Sequence, residues 1–170
     1  MAIILSLSFL TILFGDIIRK GYTAFQQTYI EIDVFFDPEK LHRDSLISAD
    51  YQGLVKESLR RMFPEVTGRS DKRALYSLVS SGSSFQLQKM VLENPDLIGH
   101  TVLVSVPADD DVDMLIKGRM DRHLPEEERR LKDKQIECID KLNEEGRIRK
   151  KFNTTFFTAG DSREPELSGI

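Results

Sequence analysis

The stretch Ser80-Ser81-Gly82-Ser83-Ser84 is the part of this 170-residue chain best equipped to hold an anion. Glycine lets a ligand approach the backbone closely, hydroxyls donate hydrogen bonds, and the first turn of a helix presents N–H groups to negative charge. Such a site needs no basic residue, and Ser81, Gly82, Ser83 and Ser84 are its candidate residues. The competing reading is that Ser83 or Ser84 simply caps the helix that follows. The densest carboxylate cluster is Asp109, Asp110, Asp111 and Asp113. As an EF-hand loop it lacks two requirements, because Met114 stands where the sharp turn needs glycine and Met120 where a bidentate glutamate is needed. A solvated helix start is therefore expected there. His42, His100 and His123 are far apart and form no zinc-binding spacing. Cys138 lies on an apolar helical stripe, where a thiol packs as a small hydrophobe. Neither a nucleophile elbow nor a phosphate-binding P-loop occurs. The expectation is a protein without catalytic residues, metal or cofactor, not an enzyme.

Composition narrows the partners. A hydrophobic fraction of 40% with 31% charged residues belongs to a globular chain rather than a disordered one. The net charge of −4 opposes nucleic-acid binding, and equally opposes a polybasic hold on anionic lipid. With one cysteine no internal disulfide forms, so the redox compartment stays open.

Several elements must position these residues. Ala2 to Phe14 runs 13 residues without a charge, and extends through Ile18 to a helix of 17. At 1.5 Å per residue that helix spans roughly 26 Å, a little short of a bilayer core. Three readings compete: a signal peptide, a buried core helix and a transmembrane segment. A signal peptide wants a basic stretch before it and a small-residue cleavage site after it. Only Met1 precedes the run, and Gly15-Asp16-Ile17-Ile18 is a poor cleavage site. The transmembrane segment fits best, with Asp16, Arg19 and Lys20 at the interface. The flanking cations conflict with a periplasmic domain after it, since basic residues favour the cytoplasmic side.

Beyond Gly21, Thr28 to Phe36 alternates as a half-buried strand and ends at Asp37-Pro38. Tyr51 to Phe63 has helical periodicity, closed by Pro64. A helix is expected over Asp71 to Val79, and another from the serine stretch to Asn94. Thr101 to Val106 reads as a second strand. A short helix with an acidic first turn covers Asp109 to Lys117. A long charged helix covers Pro125 to Glu145, with Leu131, Cys138, Ile139 and Leu142 as its apolar stripe and Gly146 as its stop. Ile148 to Thr158 reads as a third strand, with Ile148, Phe152 and Phe156 at even spacing. Asn153-Thr154-Thr155 is a formal glycosylation sequon and reads as part of it. Strands separated by runs of helices give an α+β class, with several helices and about three strands.

Four stretches carry a more specific signal. They are Gly21–Thr28 directly after the apolar segment, Phe63-Pro64-Glu65-Val66-Thr67, Asp110 to Leu115, and Phe152 to Ile170. Together they resemble the PstA-type permease of the bacterial phosphate ABC transporter, in the variant with a domain of unknown function between its first two membrane helices. The resemblance implies that residues 1–18 are the end of a first transmembrane helix, N-terminally clipped. It implies a periplasmic domain over 22–160, with 161–170 leading into a second membrane helix. The chain stops at Ile170, before the family's remaining membrane helices and the loop that engages the ATPase. The implied location is the bacterial inner membrane with the main domain in the periplasm, which settles the orientation conflict. The implied partners are the companion permease subunit, the ATP-binding subunit and the periplasmic phosphate-binding protein. The function expected is an accessory domain that docks or organises these subunits during phosphate import. The alternative is a membrane-tethered periplasmic sensor or anion-binding module built on the serine stretch.

Overall fold

The computed structural model describes residues 2–152, except for the side chains of 2–5, 18–20, 23–24 and 43–44. Two compact units make up the chain: Met1–Gln27 with Lys151–Ile170, and Thr28–Lys150. The class is α+β, with six α-helices and one three-stranded antiparallel sheet among the described residues.

In the first unit the apolar run forms α1, Ala2–Gly21, a helix of 20 residues that continues past the expected end at residue 18. Leu7, Phe9, Leu10, Ile12, Leu13, Phe14 and Ile17 are all exposed, between 44% and 71%. The reading of α1 as a buried core helix therefore fails for its middle. Among the described residues, no helix is long and apolar enough to cross a membrane. A single 3-10 turn, Tyr22–Phe25, follows. The Phe152 ring stacks at 6.1 Å from Phe25 and lies 6.4 Å from Tyr22. Phe152 is 45% exposed.

In the second unit the sheet has the order β2-β1-β3, from β1 (Gln26–Phe35), β2 (Thr101–Pro107) and β3 (Ile148–Phe152). The expected alternation fixes its register. Ile30, Ile32 and Val34 pair with Val106, Val104 and Val102 on one face; Glu31 and Asp33 pair with Ser105 and Leu103 on the other. Thr28, Ile30, Ile32, Val34 and Phe36 are fully buried. Against this face pack α2 (Tyr51–Met62), α3 (Arg69–Tyr76), α4 (Gly82–Glu93), α5 (Asp110–Ile116) and α6 (Asp133–Glu144), through Leu54, Leu59, Leu75, Leu87, Val112 and Leu142 among others. β2 lies at one edge of the sheet, and Gln86 Nε2 on α4 donates to the Ser105 carbonyl at 2.9 Å.

Two expected helices are shorter than the sequence pattern suggests. α3 stops at Tyr76, and Val79 instead makes an antiparallel bridge with Ala108. The long helix over Pro125–Glu145 is broken into a 3-10 turn at Glu126–Glu128 and α6. Arg129 and Lys132 take extended backbone between them. The Glu126 carboxylate accepts the Asp133 N–H, and Gln135 Oε1 accepts the Lys132 N–H, both at 2.9 Å, so a new helix starts with its donors already met. Leu131 is buried from this connection, not from a helix. Gly146 ends α6 with φ +68, as expected, and the Gly146 N–H to Asn143 and Arg147 N–H to Leu142 pair makes a Schellman motif. α5 ends the same way at Gly118, φ +69, with bonds to Leu115 and Met114. The third strand is described to Phe152; its expected continuation to Thr158, the sequon and the 161–170 lead-in lie outside the described residues.

Leu59 is 0% exposed within the core cluster. Leu59→Ala is expected to cost about 3 kcal/mol, the transfer loss plus a cavity. Urea unfolding followed by circular dichroism measures it, and a loss under about 1 kcal/mol would mean that the core closes up around the gap.

Glu57 on α2 meets Lys40 Nζ at 2.5 Å and Arg61 at 2.9 Å. The hydrogen bond from Lys40, then that from Arg61, holds its carboxyl below the ordinary value against a smaller opposing effect of burial. A carboxyl depressed in the folded state stabilises above its unfolded pKa and loses that contribution as pH falls through the folded value. Glu57→Gln should therefore lower the melting midpoint slightly at neutral pH, and the gap from the parent should close on acidification. A gap that stays constant with pH would show that the pair contributes nothing electrostatic.

Candidate functional site

The serine stretch sits where it was expected, at the start of α4, but its donors turn inward. Ser83 Oγ donates to the Ser80 carbonyl at 2.7 Å and Ser84 Oγ to the Ser81 carbonyl at 2.9 Å. The Gly82 N–H donates to Ser80 Oγ, and the N–H groups of Ser83 and Ser84 donate to the carbonyls of Ser80 and Ser81. Ser83 is buried and Ser81 exposed. Neither Ser83 nor Ser84 is the cap: Ser81 holds that position, in helical backbone and without a side-chain cap bond. Ser81, Gly82, Ser83 and Ser84 are thus brought together as one tight turn whose polar atoms largely satisfy each other.

The acidic cluster opens α5, and its members divide the work. Asp109 caps the helix by accepting the Asp111 N–H. Asp111 pairs with Arg130 at 3.3 Å. Asp113 accepts both the N–H and the hydroxyl of Thr28, at 2.9 and 2.6 Å, and its other oxygen takes Lys117 at 2.5 Å. Lys117 has only 7% of its side chain exposed, and Asp113 18%. Sequence reasoning treated Asp113 as one of four solvated carboxylates. The four-residue spacing to Lys117 was the available signal for a helical ion pair; the approach of Thr28 had none.

His42, His100 and His123 are exposed, and no group of histidine, cysteine, aspartate and glutamate among the described residues could hold a metal ion. Cys138 is buried on α6, where burial pushes its thiol pKa up and away from the reactive thiolate.

Two concave surfaces stand out among the described residues. The smaller, about 270 Å³, is lined by Ile47, Tyr51, Ser84, Phe85 and Gln88 among others. Gln88 Nε2 donates to the Ile47 carbonyl at 2.6 Å beside it. Ile47 is 79% exposed, and Phe85 and Leu92 present apolar surface on the outer side of α4. The larger, about 500 Å³, lies between the end of α5, α6 and β3. Leu115, Ile116, Met120, Ile139 and Ile148 supply its apolar wall. Arg122, Asp140, Asn143 and Lys150 supply its polar groups, with Arg122 and Asp140 paired at 2.6 Å. None of these four stood out in the sequence, because isolated charges on separate elements have no shared spacing.

Removing the Asp113 carboxylate takes the counter-charge at 2.5 Å away from a Lys117 ammonium that is nearly buried. Asp113→Ala is expected to cost about 3 kcal/mol in urea unfolding. The double variant Asp113→Leu/Lys117→Met should recover only part of that loss, since it removes both charges but still leaves the N–H and hydroxyl of buried Thr28 without their acceptor. An equally large loss in the double variant would locate the cost in the unmet Thr28 donors and the packing rather than in the stranded charge.

Comparison with known proteins places these features in a family. Residues 1–126 match the family described as a domain of unknown function, DUF3333. No curated protein and no solved structure matches the chain. The match takes in α1, the sheet's first two strands, the serine turn and the whole Asp113 cluster, and on that extent the chain belongs to the DUF3333 family.

Proposed function

We propose that this chain is the periplasmic accessory portion of a PstA-type permease of a bacterial phosphate ABC transporter, held at the inner membrane by α1. The observation that carries the reading is α1 itself. Its exposed apolar side chains occupy most of the helix circumference, a pattern that water does not favour and that lipid or neighbouring membrane helices would cover. Its 20 residues rise about 30 Å, although as described the helix is not apolar enough along that length to cross a bilayer by itself. Membership of a family described as a domain of unknown function agrees with the coarser part of the permease resemblance.

In this reading the Thr28–Lys150 unit acts by docking, not by chemistry. The exposed apolar side chains Ile47, Phe85 and Leu92 offer a surface for the companion permease or the periplasmic phosphate-binding protein. ATP hydrolysis on the separate ATP-binding subunit drives transport. The serine turn lends little to the alternative of an anion-binding sensor, because its hydroxyls already donate to their own backbone.

Two measurements test the reading on the full chain. It should sediment with membranes and resist a carbonate wash, whereas Leu10→Arg/Leu13→Arg should shift it to the soluble fraction. Co-expressed with the importer subunits, it should co-purify with the phosphate-binding protein in the phosphate-loaded or the empty state. A parent chain found in the soluble fraction, or failure to co-purify in both states, would sink the proposal.

A further inference from the structure

The groove between α5, α6 and β3 carries a ligand assignment that does not depend on the transporter reading. Its volume of about 500 Å³ lies within the roughly 300–1,000 Å³ range of small-molecule clefts. Two of its walls end in Schellman turns, at Gly118 and Gly146, which fix where α5 and α6 stop. The third wall is β3, where Ile148 and Lys150, two residues apart, line the same cavity.

The charges of the groove do not cancel. Arg122 is neutralised by Asp140, but Lys150 has no ion-pair partner among the described residues. The Asn143 amide likewise has no hydrogen-bond partner there, so it can donate to or accept from a ligand. One surplus positive charge thus stands in the groove of a chain whose net charge is −4. Inorganic phosphate alone would leave the apolar wall of Leu115, Ile116, Met120 and Ile148 wet, and a sugar would lack polar partners along it. A cation would face Lys150.

We propose that this groove binds a small monocarboxylate with an apolar body. The body lies against Leu115, Ile116, Met120 and Ile148, and the carboxylate takes the Lys150 ammonium and the Asn143 amide. Apolar burial supplies most of the affinity, and the charge-assisted bond sets the orientation.

The test uses the full chain with labelled methionine methyl groups and phenylbutyrate as the probe. Of the described methionines Met120 alone lines the groove, so Met62, Met90 and Met114 serve as internal controls. Phenylbutyrate should shift the Met120 signal saturably, in the millimolar range or below. Lys150→Gln should weaken binding about tenfold, as should the uncharged phenylbutyramide with the parent chain. Lys150 is exposed at the surface, so its substitution leaves the core intact. No Met120 shift, or a non-saturating shift spread over all the methionines, would overturn the site. Equal binding of the amide and the acid, with no effect of Lys150→Gln, would overturn the carboxylate assignment.

Discussion

The dry face of β1 is the constraint on which the Thr28–Lys150 unit rests. Five alternate residues from Thr28 to Phe36 are completely withdrawn from water, and four are apolar. Each apolar side chain so placed contributes on the order of 1.5–3 kcal/mol, and no other strand of the sheet is buried so completely. The helices are positioned by the need to cover that face. The one polar member, Thr28, has its hydroxyl and its N–H met by Asp113. Asp113 can stay charged there because Lys117 lies against its second oxygen. An apolar layer and a small ionic knot thus support one another: the strand brings Thr28 to α5, and the knot spares the strand an unsatisfied end.

α1 follows a different rule. In the second unit apolar side chains point inward and charges pair at the surface. Along α1 the apolar side chains are exposed instead. Propensity and length are enough to form the helix, but nothing among the described residues covers its middle.

The parts of this architecture that obey a short-range period were readable from residues alone. The strands around Ile30–Val34 and Val102–Val106, the helix from Tyr51 and the glycine stop at Gly146 all appear close to where periodicity puts them. The failures came where a tertiary partner decided the outcome. Val79 left its helix for a bridge to Ala108, and residues 129–132 left theirs because Glu126 and Gln135 cap a later start. The serine stretch was located correctly as a helix start, yet sequence could not show that its hydroxyls fold back on their own carbonyls. The groove was invisible for a related reason. Its wall comes from α5, α6 and β3, and only their packing makes Arg122, Asp140, Asn143 and Lys150 neighbours.

The bond from Gln86 to the carbonyl of Ser105 has a consequence beyond local geometry. β2 is an edge strand, and an edge with open hydrogen-bonding groups and an outward leucine, here Leu103, is a template for another chain to add itself as a further strand. By occupying one of those acceptors, and by bringing α4 alongside, Gln86 interrupts the ladder at mid-strand. A newcomer pairing along the whole strand would have to displace that internal partner. An edge interrupted in this way works against sheet polymerisation when many copies crowd together, a safeguard that a single copy would never need.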